Sequence, residues 1–152
     1  MDLKEKALTL HDRGYNCAQT VLAACGDYTG LDEKTALAVS AGFGGGLRSG
    51  EICGAISGAV MAIGMANPYN DCTDIAAKEK IALLAKECVA AGKEKFGFVR
   101  CEELKGDKSN CPYYISEMTA IAVEIIKNNM YIYRRKLWKF MKNWLPAVLL
   151  LR

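Results

Sequence analysis

The chain has 152 residues, 51% of them apolar, which is enough for one domain whose hydrophobic core does not need disulfide bonds. Its formal charge of +3 is unevenly distributed, because residues 130–152 contain six of the 20 Lys and Arg residues and none of the 17 Asp and Glu residues. Residues 1–129 therefore carry a net charge of −3, and we expect them not to bind nucleic acid.

Helical spacing of apolar residues dominates residues 1–129, where neither a convincing strand nor a long linker is visible. Asn16 and Asp32 are suited to cap helices, whereas Gly14 and Gly92 are suited to follow helix ends. We therefore predict an all-α fold, a single-domain bundle of about six helices. The predicted helices are residues 3–13, 17–27, 33–41, 51–66, 72–91 and 113–128, with one further turn at 100–104.

A glycine-rich loop, Gly42–Gly46, separates the third and fourth predicted helices and is too flexible for a helix interior. Backbone N–H groups in such a loop can hold sulfides, thiolates or a bound anion. We therefore regard Gly44, Gly45, Gly46 and Gly54 as candidate cofactor-binding residues. A plain flexible turn is the alternative.

Residues 130–152 are predicted to form a separate basic aromatic tail or helix. The apolar run near its end, Ala147–Leu151, is much shorter than the ~20 residues needed to span a bilayer. The pattern fits peripheral contact with an anionic membrane surface or a partner groove. The alternative is a last helix packed on the domain, and a homodimer is also compatible with the apolar tail.

Seven cysteines occur without a visible secretory signal, because the charged residues Met1–Lys6 are not followed by an apolar h-region. We therefore expect a cytoplasmic protein, in which several cysteines indicate metal binding or thiol chemistry. The absence of a Cys-x-x-Cys pair argues against thioredoxin-like chemistry and zinc fingers. His11 is the single histidine, so sites that need two imidazoles from one chain are excluded. Any site must be assembled from cysteines distant in sequence.

Cys53 and Cys17 are both predicted to lie at helix starts. Cys53 precedes Gly54 and Gly58, whose small size allows another backbone to approach closely. Cys17 follows the candidate cap residue Asn16. The partial positive charge at a helix start favours a thiolate over a thiol. We therefore take Cys53 and Cys17 as candidate catalytic residues.

Cys101 and Cys111 flank a polar stretch, residues 102–110, and do not lie on an apolar stripe as core cysteines usually do. Cys111 also precedes Pro112, which fits the first turn of a helix. Both cysteines are therefore candidates for a functional site. The other three are predicted to be core or bystander residues: Cys25, Cys72 and Cys88.

Five motifs follow one another in a distinctive order: GYNCAQ at 14–19, GFGGG at 42–46, CGAISG at 53–58, CEELKG at 101–106, and Cys111. Over roughly residues 5–128 this order resembles the C_GCAxxG_C_C family, small bacterial and archaeal proteins described as redox-active and named for four cysteines. A similar domain occurs in split-Soret-type cytochromes, which implies electron transfer. The resemblance does not extend to the tail. The resemblance implies that the four cysteines for which the family is named are Cys17, Cys53, Cys101 and Cys111.

Four thiolates from separated segments fit three kinds of site. They can bind an iron–sulfur cluster, or a structural zinc, although zinc ligands usually come in close pairs. Without a cofactor, they can cycle between dithiol and disulfide. We therefore predict electron transfer with an unidentified redox partner protein, by a thiol-based oxidoreductase or a non-enzymatic carrier. A non-redox helical adaptor that docks through its basic tail is the remaining alternative.

Overall fold

The computed structural model describes residues 2–106 and 110–148 of the chain. Eight α-helices occur in these residues, and six of them have seven residues or more, in agreement with the predicted bundle of about six helices. The only β pairing in the same residues is one antiparallel bridge between Ile52 and Arg100, so the all-α prediction is confirmed. The helices are α1 (Leu3–Asp12), α2 (Cys17–Ala24), α3 (Gly26–Thr29), α4 (Glu33–Val39), α5 (Gly54–Ala66), α6 (Ile75–Phe96), α7 (Cys101–Lys105) and α8 (Cys111–Val148).

Side-chain caps begin α2 and α4, as the sequence predicts. Asn16 Oδ1 accepts hydrogen bonds from the N–H groups of Ala18 at 3.0 Å and Gln19 at 3.2 Å. The Gln19 side chain accepts one in return from the Asn16 N–H group at 3.1 Å, which completes a capping box. At the start of α4, Asp32 Oδ1 accepts from the Thr35 N–H group at 3.0 Å. Both predicted caps are therefore confirmed.

Helix α5 begins at Gly54 rather than at the predicted Glu51, because the residues before it are in a short antiparallel pairing. The Cys53 N–H group donates to the Val99 carbonyl at 2.8 Å, and the Cys101 N–H group donates to the Glu51 carbonyl at 2.6 Å. Cys53 is consequently the cap residue of α5 and does not lie in its first turn.

Helix α6 continues past Gly92, so the predicted helix end before this glycine is wrong. Gly92 lies where α6 meets two other helices, and a Cβ there would be 3.2 Å from both Ile56 Cδ1 and Met118 Sδ. Close packing therefore accounts for this glycine. The helix ends instead at Phe96, followed by Gly97 with φ +84°.

Helix α5 packs against α2, α6 and α8 at the centre of the bundle. Gly58 allows the contact with α2, since a Cβ on it would be 2.6 Å from the Ala18 carbonyl oxygen. The contact between Gly58 and Ala18 helps to hold the starts of α2 and α5 side by side. Fully buried side chains of this core include Leu22, Ile56, Ile63, Met118 and Ile126, together with Cys25 and Cys88, whose predicted core positions are confirmed.

Helix α8 is continuous from Cys111 to Val148 and therefore runs through the predicted domain boundary between residues 129 and 130. The predicted apolar run Ala147–Leu151 lies partly outside the described residues. Within the described part of the chain, no helix is both long enough and apolar enough to cross a membrane.

Candidate functional site

The four family cysteines all lie where a helix begins. Cys17, Cys101 and Cys111 are the first residues of α2, α7 and α8, and Cys53 directly precedes α5. All seven cysteines of the chain carry thiols rather than disulfide bonds. Helix starts present backbone N–H groups that have no partner within the helix, so these sulfurs are placed near hydrogen-bond donors.

Backbone pairing brings Cys53 and Cys101 together. The Ile52–Arg100 bridge lies between the two hydrogen bonds that join Cys53 to Val99 and Cys101 to Glu51. Cys53 and Cys101 each lie one residue beyond this bridge, diagonally across it, so the pairing fixes the starts of α5 and α7 relative to each other.

Helix packing brings Cys17 to the same place. A Cβ on Gly54, the residue after Cys53, would lie 3.3 Å from Cys17 Cβ and 3.0 Å from the Phe43 carbonyl oxygen. Any side chain at Gly54 would therefore push α2 and the glycine-rich loop away from α5. Gly54 thus accounts for the closeness of Cys17 to Cys53.

Cys111 completes the group, because its side chain lies within hydrogen-bonding reach of that of Cys17. This interaction is the largest cause of a strongly raised pKa at Cys17, followed by burial. Repulsion from the other three sulfurs, on Cys111, Cys53 and Cys101, raises the Cys17 pKa further. The thiols of Cys17, Cys53, Cys101 and Cys111 therefore lie within electrostatic reach of one another.

The pKa of Cys53 is also raised, with burial as the largest cause. Interaction of its sulfur with the N–H groups of Ala55 and Ile56 lowers the pKa, as expected at a helix start, but this effect is smaller than that of burial. Like-charge repulsion from Cys101 and Cys111 again favours the neutral thiol. Cys53 and Cys17 are therefore held as neutral thiols and not as activated thiolates.

The site has a buried side and a more open side. Cys53 is 4% exposed and Cys101 is 8% exposed, whereas Cys17 and Cys111 are half-buried. A partner molecule therefore reaches the site most readily at the pair formed by Cys17 and Cys111.

The glycine-rich loop lies directly against these cysteines. Gly46 has φ +62°, and a Cβ on it would be 2.8 Å from Cys101 Cβ and 2.5 Å from the Glu51 carbonyl oxygen. Gly44 packs in the same way against the side chain of Asn16, the residue before Cys17. Of the candidate glycines, Gly44, Gly46 and Gly54 therefore make close contacts around the site, while Gly45 has φ +62° with open space beside it.

Two residues that directly follow this loop were not identified from the sequence. Leu47 and Arg48 follow Gly46 with φ values of 57° and 61°, in the left-handed region that L-residues with side chains rarely adopt. Each such residue costs about 1–2 kcal/mol, and strain of this kind is often found at functional sites. Since Leu and Arg carry no sequence signal for this conformation, only the structure reveals it.

Hydrogen bonds and ion pairs hold the surrounding segments in place. Asn16 Nδ2 donates to the Ala41 carbonyl at 2.9 Å and so joins the start of α2 to the beginning of the loop. Arg100 pairs with Glu51 at 2.9 Å and with Glu102 at 2.7 Å, across the segments that carry Cys53 and Cys101. Arg13 pairs with Glu33 at 3.2 Å and so joins the segment before α2 to the start of α4.

In residues 2–106 and 110–148, no group of three or more Cys, His, Asp or Glu side chains is arranged to hold a metal ion. The four cysteine side chains, as they lie in this structure, therefore do not form a metal-ion site by themselves. The cluster, zinc and cofactor-free alternatives all stay predictions.

The fold and the site define a class of small helical protein in which four helix starts meet around four cysteines. A family model described as "Putative redox-active protein (C_GCAxxG_C_C)" matches residues 15–125. The chain belongs to this family, and the resemblance noted from its motifs is confirmed. No curated protein and no solved structure matches the chain.

Proposed function

We propose that the four cysteines form a redox centre that holds an iron–sulfur cluster and exchanges electrons with a partner protein. The observation that carries the proposal is the convergence of four thiols from four helix starts, in a site where the neighbouring sulfurs raise the pKa of Cys17 and of Cys53. Iron–sulfur clusters are commonly held by four cysteine thiolates and, when bound, supply reversible one-electron exchange.

The raised pKa values are consistent with this donor set. Four thiolates without a cation repel one another and lose solvation on burial, and both effects keep Cys17 and Cys53 protonated. Positive metal ions among the sulfurs remove this repulsion, and a coordinating thiol is deprotonated. A cation bound among these sulfurs would therefore offset the effects that keep Cys17 and Cys53 protonated.

In this proposal the residues around the sulfurs influence the reduction potential of the centre and determine on which side a partner can reach it. The N–H groups of Ala55 and Ile56, which favour negative charge on the Cys53 sulfur, would also favour the reduced state. The half-buried pair Cys17 and Cys111 lies on the side where a redox partner would approach. We place the protein in the cytoplasm, where a reducing environment preserves thiols.

A dithiol–disulfide cycle is the second candidate, because the Cys17 and Cys111 side chains lie within hydrogen-bonding reach of each other. In such a cycle the two thiols would form one S–S bond and release two electrons and two protons. A disulfide of the partner protein would accept the two electrons and the two protons and become a dithiol. This pairing joins Cys17 to Cys111, whereas the sequence suggested Cys17 and Cys53 as the reactive residues.

Anaerobic purification, followed by an absorption spectrum and analysis of iron, sulfide and zinc, distinguishes the alternatives. We expect visible charge-transfer bands with iron and sulfide in matching amounts. A colourless protein with bound zinc would instead select the structural-zinc alternative. A colourless, metal-free protein in which oxidation joins Cys17 to Cys111, detected by peptide mass spectrometry, would select the disulfide cycle.

Serine substitutions test whether the bound iron belongs to this site. Cys53→Ser and Cys101→Ser should lose most of the iron and the visible bands, because each removes one ligand from the buried side. Cys72→Ser changes an exposed cysteine outside the site and is the matched control. Equal iron contents in all three variants would contradict the proposal.

A further inference from the structure

The C-terminal half of α8 exposes a row of large apolar side chains. Tyr131 is 66% exposed and Trp138 is 59% exposed, and Met130 and Met141 are exposed as well. At ~3.6 residues per turn, Tyr131 and Trp138 are about two turns apart, and Met130 and Met141 about three. The four side chains therefore lie within an arc of about 100° on one side of the helix.

The same part of α8 has a charge opposite to that of the rest of the chain. Residues 130–148 contain five Lys and Arg residues and no Asp or Glu, whereas residues 1–129 carry a net charge of −3. Arg135 is exposed at the edge of the apolar row. By its position in the helix, Arg134 falls within the same arc, so exposed aromatic and Met residues are interspersed with basic residues in this segment.

We propose that residues 130–148 of α8 bind an anionic lipid surface. The apolar row would enter the boundary between headgroups and acyl chains, where Trp and Tyr are favoured, and the basic side chains would interact with lipid phosphates. This contact surface is distinct from the four-cysteine site, which lies at the opposite end of α8, around Cys111.

The charge of this segment also favours a lipid surface over a second copy of the chain as its binding partner. A two-fold contact brings the same surface of each copy together, so two copies of a segment with five Lys and Arg residues and no Asp or Glu would meet. Repulsion between like charges opposes such an interface, whereas anionic lipids complement the positive charge of the segment.

Vesicle binding by the full-length chain tests the proposal. Both Trp residues of the chain, Trp138 and Trp144, lie in the basic segment, so intrinsic fluorescence reports on this segment alone. We expect a blue shift with phosphatidylcholine–phosphatidylserine vesicles and a much smaller one with phosphatidylcholine alone. High salt should weaken the binding, because it screens the attraction between exposed charges.

Matched variants locate the contact. Trp138→Ser and Arg135→Glu should each lower the affinity for anionic vesicles, measured by co-sedimentation, by roughly tenfold or more. Leu83→Ser and Lys78→Glu make the same kinds of change at exposed positions of α6 and should leave it unchanged. Equal losses in all four variants would contradict a contact made by α8.

Two further outcomes would overturn the proposal. A chain that ignores anionic vesicles but self-associates, and becomes monomeric on Trp138→Ser, would assign this surface to contact between copies. A monomer that binds no vesicles would show that the exposed row has no lipid partner. Neither outcome affects the iron and sulfide analysis, so this inference and the proposed redox function fail independently.

Discussion

Two glycines of α5, Gly58 and Gly64, have opposite surroundings. A Cβ on Gly58 would be 2.6 Å from the Ala18 carbonyl oxygen and 3.1 Å from Val21 Cβ, both in α2. A Cβ on Gly64 would meet no atom within 4 Å. The same substitution, Gly to Ala, should therefore change the free energy of unfolding in opposite directions at these two positions.

The magnitudes follow from two effects. In a helix interior, Ala is more favourable than Gly by about 0.5–1 kcal/mol, and Gly64→Ala should be stabilising by this amount. At Gly58 the added Cβ meets a backbone carbonyl that cannot rotate away, so we take the upper end of the typical overpacking cost of about 1–3 kcal/mol. After the gain in helix propensity, Gly58→Ala should be destabilising by about 2 kcal/mol.

Urea unfolding of the reduced protein, followed by circular dichroism, measures both effects. For a chain of this size about 1 kcal/mol corresponds to about 2–4 °C in Tm, so thermal unfolding should show shifts of opposite sign. Gly58→Ala should also speed alkylation of Cys17, because it displaces the start of α2. Similar stabilisation by both substitutions would refute the close α2–α5 contact that positions Cys17 beside Cys53.

Three further predictions concern the start of α2, the loop and the buried thiols. Asn16→Ala removes the capping box and the bond to the loop, and should cost about 1–2 kcal/mol of unfolding free energy in urea. Arg48→Gly removes left-handed strain and should stabilise by up to about 1 kcal/mol, whereas Lys86→Gly, in an exposed helical position, should destabilise by about 1 kcal/mol. Burial raises the pKa of Cys25 and of Cys88 to about 12 from an ordinary 9.0. Between these two pH values the thiols are ionised in the unfolded state but neutral in the folded state. The free energy of unfolding should therefore be unaffected by these thiols below pH 9 and should fall as the pH rises towards 12. Urea unfolding at a series of pH values measures this fall, which should be shallower in Cys88→Ala.

Each of these predictions has a clear contrary result. An unchanged unfolding free energy in Asn16→Ala would mean that the capping box contributes no stability. Destabilisation by Arg48→Gly as large as that by Lys86→Gly would mean that residue 48 is not strained. A pH profile identical in Cys88→Ala and the parent chain would show that this thiol is not held neutral by burial.

The sequence by itself determined the helices whose signals are local. Asn16 and Asp32 were recognisable as caps because a cap bonds to residues only two or three positions away in the chain. Cys25 and Cys88 were recognisable as core residues because they share apolar stripes with their helix neighbours. The all-α fold class and the family followed from such local patterns and from the order of the motifs.

Only the tertiary structure decided how the cysteines meet. Cys53 and Cys101 are joined through backbone pairing between distant segments, and Cys17 and Cys111 through the packing of two helices. Neither contact has a sequence signal, because each depends on where separate helices begin in space. The structure also reversed the expected effect of the helix starts on the thiols, since burial outweighs the nearby N–H groups at Cys53 and raises its pKa. Burial is a property of the whole fold, so the charge state of the site could be determined only from the assembled bundle.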